Sequence, residues 1–203
     1  MLIDAGRSLL LVIDMQERLL PVIHDRDSVI AGTAWLVRVA TRIGVPVAGL
    51  VQYPKGLGPL VLPLRELIAP EAIAAKVHFS GVAARCLPDL PGADLAQVVL
   101  AGVEAHVCVL QTALELAEEG KDVYVVADCV GSRRASDRDL ALARMRQAGV
   151  QIISREMVAF EWLREAGTPL FREVCRDFLR QPEIPGAASP AVPRDDKPRE
   201  PRG

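Results

Sequence analysis

Between Ser8 and Asp14 the chain runs Leu9-Leu10-Leu11-Val12-Ile13 without a polar side chain, and from Val98 to Val103 it is again wholly apolar. A strand with one face in water alternates apolar and polar residues, so unbroken runs like these belong to strands covered on both faces. Parallel sheets flanked by helices provide that environment. The segments between the runs carry helical spacing. Ile30, Ala34, Val37 and Thr41 mark the inner face of a helix that ends at Gly44, with Pro46 beyond it. Leu110, Ala113, Leu114 and Ala117 mark another, closed by Gly120. Ser136 stands as the N-cap of a helix that carries Ala141, Met145 and Ala148 and stops at Gly149, and Leu170, Val174 and Phe178 define a last one. Strands are expected near 8–14, 45–52, 72–76, 96–103, 122–128 and 150–153. This alternation predicts an α/β fold, a three-layer α/β/α sandwich around a six-stranded, mostly parallel, doubly wound sheet of Rossmann-like type.

In such sheets ligands bind beyond the carboxyl ends of the strands, and three reactive side chains stand at those ends. The first apolar run stops at Asp14, and the short run Ala72-Ile73-Ala74-Ala75 stops at Lys76. The run from Val98 leads through Gly102-Val103-Glu104-Ala105-His106-Val107 to Cys108, in the first turn of the following helix. Free N–H groups and the positive end of a helix dipole favour a thiolate there, and they can hold an oxyanion formed on a carbonyl. A single cysteine equally packs as a small apolar group. Its combination with an acid and a lysine supplies the parts of thiol-based acyl transfer: a proton acceptor, a charge holder and a nucleophile.

Asp14-Met15-Gln16, Lys76-Val77-His78-Phe79-Ser80 and Gly102 through Val109 resemble the isochorismatase-like cysteine hydrolases over about residues 7 to 180. The segments Gln52-Tyr53-Pro54-Lys55-Gly56-Leu57-Gly58-Pro59, Ser136-Asp137-Arg138 and Ala141 through Gln147 are most similar to the branch called isochorismatase domain-containing proteins. The resemblance implies a catalytic triad of Asp14, Lys76 and Cys108 and a cis peptide at Val103-Glu104. It also implies an oxyanion hole from the backbone N–H groups of Glu104 and Cys108. The implied activity is hydrolysis of a C–N bond in a small amide, ureido or carbamoyl compound through a thioester. An isochorismatase-type vinyl ether hydrolase and a non-catalytic binding or scaffold protein are the alternatives. The chain also departs from the pattern. Nicotinamidases of this family bind a metal through an aspartate and two histidines after the second strand, whereas Gln52 to Pro63 holds no histidine or carboxylate, so no metal and no cofactor are expected. Many relatives carry Thr-Asp where this chain has Ala105-His106.

Gln16, Tyr53, Val103 and His106 are the candidate substrate contacts. Gln16 either positions a substrate amide or braces a turn. His106 lies two residues before Cys108, where helical side chains diverge, so it reads as a rim contact rather than a base for the thiol. His78 reads as a packed or surface residue close to Lys76, and Arg133 and Arg134 as solvated loop charges or receivers of a substrate carboxylate. Cys86 and Cys175 are expected to pack inside helices and Cys129 to pack at the end of the fifth strand.

Half of the 203 residues are apolar, enough for one domain that buries its own core. A net charge of −2 with 4% aromatic residues lacks the clustered basic surface of nucleic-acid binders. No apolar run nears the roughly 18 residues of a membrane span, and no signal-peptide pattern precedes the first strand, so a cytoplasmic protein is expected. The high apolar fraction, together with the habit of relatives, predicts a homo-oligomer acting on a small molecule. The domain is expected over residues 1–180, because the last 23 residues hold six prolines and eight charged side chains and read as a disordered tail.

Overall fold

The computed structural model describes residues 1–179. The tail expected over residues 181–203 lies outside them. Six strands form one sheet: β1 (Ser8–Ile13), β2 (Val47–Gln52), β3 (Ile73–Lys76), β4 (Gln97–Val103), β5 (Asp122–Gly131) and β6 (Gln151–Ile153). Their order is β3-β2-β1-β4-β5-β6, and every pair is parallel. The order reverses between β1 and β4, which places a crevice at their carboxyl ends.

The helices are α1 (Arg26–Ile43), α2 (Pro54–Leu57), α3 (Leu62–Arg65), α4 (Leu110–Glu118), α5 (Ala135–Gln147), α6 (Arg155–Leu163) and α7 (Pro169–Val174). Side chains alternate across the pleat of β1, and both sets are buried. Leu10 and Val12 pack with Leu36, Val37, Val158 and Trp162 in one layer of core. Leu9, Leu11 and Ile13 pack with Val109, Ala113, Ala141 and Met145 in the other. The unbroken apolar run thus reflects a strand sandwiched between α1 and α6 on one side and α4 and α5 on the other.

Gly44, at φ 92°, ends α1 as expected, and its N–H bonds back to Ala40 and Thr41. Three local expectations are corrected. Ser136 is not the N-cap of α5: Arg134 occupies that position in extended conformation and Ser136 is already inside the helix. Cys86 lies in irregular chain just past a turn rather than in a helix, its Sγ 3.5 Å from the Gly81 carbonyl. β5 runs past residue 128 to Gly131, because its register slips: it advances from Val125 to Val130 while β4 advances only from Leu100 to Gly102. That irregularity carries Asp128 and Cys129, the latter fully buried. Helix α6 is an element not anticipated above, although Ser154 caps it by accepting from the Met157 N–H at 3.3 Å.

Candidate active site

β1 ends at Ile13 and Asp14 follows at φ 53°, a left-handed turn that a short polar residue tolerates. The Asp14 N–H still donates to the Leu50 carbonyl at 2.9 Å, so this turn is anchored on β2. Lys76 ends β3, two strands away. Neighbouring strands lie about 4.8 Å apart, so its side chain must cross the end of β2 to reach β1. It does so through Gln52, the last residue of β2: Lys76 Nζ donates to Gln52 Oε1 and to Asp14 Oδ2, each at 2.7 Å. The lysine and aspartate side chains are both 0% exposed. A buried ion pair of this kind persists only where its remaining polar atoms are satisfied, and Gln52 meets that need for the lysine. Gln52 is a site residue that the sequence reading passed over; its signal was another polar side chain closing an otherwise apolar strand.

Asp14 Oδ1, also buried, has no hydrogen-bond partner of good geometry among the described residues. The side chain coupled to this carboxylate is Cys108, and each group sets the other's protonation. Burial raises the Asp14 carboxyl above its ordinary range despite the attraction of Lys76 and hydrogen bonding to Cys108. Burial also pushes the Cys108 thiol from an ordinary 9.0 to about 12, with the negative charge and hydrogen bonding of Asp14 adding to the rise. The resting side chain is therefore a thiol. Desolvation and the adjacent anion here outweigh the pull of the helix start toward a thiolate.

The turn that carries Cys108 also differs from the α-helical first turn expected. Ala105–Val109 is a π-helical turn, and the α-helix begins only at Leu110. The Glu104 carbonyl accepts from both the Val107 N–H at 3.0 Å and the Val109 N–H at 3.2 Å, which closes the wider turn. The Val103–Glu104 peptide is cis, as the resemblance implied.

The candidate substrate contacts lie in different surroundings. Gln16 is wholly buried, and its amide braces main chain: Nε2 donates to the carbonyls of Gln52 at 2.9 Å and Gly58 at 2.7 Å, while Oε1 accepts from the Gln52 N–H at 2.8 Å. Those contacts answer to the turn-bracing reading. Val103 is buried in the α1-side core. His106 is half-buried, with Nδ1 3.0 Å from Ser132 Oγ. Tyr53, exposed, lines a surface cavity of about 500 Å³ with Pro54, Lys55, Lys76, Val77 and His78. Arg133 pairs with Glu104 at 2.7 Å. Among the described residues no three His, Cys, Asp or Glu side chains form a group able to hold a metal ion, and no helix is long and apolar enough to cross a membrane.

 The Isochorismatase domain matches residues 8–157 of the chain, which take in all six strands, from Ser8 to Ile153, and every site residue from Asp14 to Arg133. The chain belongs to the isochorismatase family. Isochorismatase domain-containing protein 2 of Danio rerio is 38% identical over 169 residues, covering 82% of this chain and 84% of that protein. Among solved structures, the MAR1 ribonuclease of Caenorhabditis elegans is 34% identical with a TM-score of 0.83, covering 95% of this chain and 100% of that one. YcaC of Pseudomonas aeruginosa, solved with hexane-2,5-diol and covalent acrylamide, is 29% identical with a TM-score of 0.77, covering 88% and 92%. The family carries the hydrolase fold, and the Asp14, Lys76 and Cys108 set of this member lies at the switch point between β1 and β4, where such folds bind ligands.

Proposed function

We propose that this isochorismatase-family protein is a cysteine hydrolase that cleaves a C–N bond in a small amide, ureido or carbamoyl compound, with no resident metal. The observation that carries the reading is the buried cluster in which Lys76 holds one oxygen of Asp14 while the carboxylate is coupled to the Cys108 thiol. A carboxyl raised above its ordinary range is a stronger base than a solvated aspartate, and it faces a thiol that must lose a proton to react. In the first step Asp14 takes the thiol proton as Sγ bonds to the substrate carbonyl carbon, and the carbonyl electron pair moves onto oxygen. The N–H groups of Glu104 and Cys108 are assigned to that oxyanion. Asp14 then returns the proton to the departing nitrogen, the C–N bond breaks, and a thioester remains. Water, deprotonated by Asp14, hydrolyses the thioester and regenerates the thiol. Lys76 keeps Asp14 placed and offsets the charge passing between the two groups.

The covalent acrylamide of the Pseudomonas aeruginosa relative supports this reading, since acrylamide is captured by nucleophiles such as thiols. The ribonuclease name of the Caenorhabditis elegans relative points to a different bond. A net charge of −2 favours a small substrate over a polyanion for this chain. The test is ammonia release from a panel of small amides and ureido acids, with single-stranded RNA cleavage measured beside it, both before and after exhaustive chelation. Ammonia release that survives chelation is expected. RNA cleavage without ammonia release, or activity lost on chelation and restored by one metal, would contradict the proposal.

A further inference from the structure

We propose that Arg133 is a positioning residue for the cysteine turn, acting through Glu104; the inference rests on the cysteine-hydrolase reading. Glu104 is bound at both ends. Its carbonyl accepts from the Val107 and Val109 N–H groups and so closes the turn that carries Cys108. Its carboxylate, 7% exposed, accepts from Arg133 three times: from Nη2 at Oε1 (2.7 Å), from Nε at Oε2 (2.9 Å) and from the backbone N–H at Oε2 (3.3 Å). Arg133 therefore grips one buried carboxylate with its fork and its main chain together. The preceding residue adds a second hold, because Ser132 Oγ lies 3.0 Å from His106 Nδ1, within the same turn. Two successive residues beyond β5 thus fix two residues of the segment that presents the nucleophile.

An exposed ion pair contributes little, but this carboxylate is buried at the entry to the turn, where its position sets that of the backbone behind it. Burial raises the Glu104 carboxyl, yet the Arg133 hydrogen bonds and charge outweigh it and hold the group below its ordinary range, so it stays an anion fitted to the guanidinium. Lysine offers a point charge in place of the fork and cannot reproduce the two parallel bonds. Misplacing oxyanion donors by a fraction of an ångström slows only reactions that pass through an oxyanion.

Two reagents separate that effect from general damage. p-Nitrophenyl acetate acylates Cys108 through a tetrahedral oxyanion and expels nitrophenolate, whereas iodoacetamide alkylates it by direct displacement of iodide with no oxyanion. In Arg133→Met, acylation of Cys108 is expected to slow about 10–100-fold while alkylation at the same pH stays within about twofold. Arg133→Lys is expected to fall between wild type and Arg133→Met, and it decides the matter if Arg133→Met does not fold. Unchanged acylation in either folded variant would overturn the proposal, as would acylation and alkylation falling together with the thermal midpoint. Failure of wild-type Cys108 to be acylated would sink the cysteine-hydrolase reading itself, and with it this inference, before any variant is made.

Discussion

Replacing Cys108 with alanine is expected to lower amide turnover by roughly 10⁴-fold or more while the protein keeps its fold. The side chain removed is small, so the cost in stability is of the order of 1 kcal/mol, and both core layers remain filled. Asp14→Asn keeps the shape but removes the base, and a loss of about 10²–10⁴-fold in turnover is expected. The two variants differ in a way that a structural effect does not produce. Asp14 raises the Cys108 thiol through its charge and its hydrogen bond. Asp14→Asn should therefore move the pH profile of Cys108 alkylation to lower pH even as turnover falls. An alkylation profile unchanged by the substitution would remove Asp14 from its role.

The same coupling fixes a sign for stability. The folded state keeps the Cys108 proton up to about 12, whereas an unfolded thiol releases it near 9.0. The folded state thus binds more protons in that window, and stability present below the lower value is lost as pH rises through it. Cys108→Ala should show a weaker fall in thermal midpoint over the same range.

Gly102→Ala is expected to destabilise the fold by about 3 kcal/mol or more, or to prevent folding. Gly102 adopts φ 123°, and a Cβ there would lie 2.0 Å from the Ile13 carbonyl oxygen and 2.7 Å from the Ile13 nitrogen. Both are backbone atoms of β1, so relief requires β1 and β4 to separate where the sheet order reverses. Asp14 follows Ile13 directly, which ties this close approach to the placement of the site. Thermal denaturation checks the prediction, and a midpoint within a few degrees of wild type would contradict it.

The fold was legible because its strands are covered on both faces. Leu9 to Ile13 and Val98 to Val103 have no polar alternative to a sandwiched position, and the glycine after α1 fixed a boundary. Helix α6 was less visible because Met157 and Phe160 are exposed among its buried Val158, Ala159, Trp162 and Leu163, which blurs the apolar stripe. At the site, charged residues ending apolar runs marked Asp14 and Lys76. The bridging role of Gln52 depends on strand order, since only a sheet that places β2 between β1 and β3 makes it the link. The π-helical turn at Ala105–Val109 and the grip of Arg133 on Glu104 depend on contacts between segments far apart in sequence, which local spacing does not encode. The extent to which the Cys108 thiol is raised is not encoded locally either: helix-start chemistry is local, whereas burial and the Asp14 charge come from the assembled sheet.

The central claim, that Cys108 forms a covalent intermediate with its substrate, is tested most directly by rapid acid quenching of the enzyme with an amide that it hydrolyses, followed by peptide mass analysis. The account predicts one acyl group on the peptide bearing Cys108, absent from Cys108→Ala and lost when the mixture is allowed to finish turnover. Full turnover with no acyl group on Cys108 in wild type, together with undiminished activity in Cys108→Ala, would contradict it.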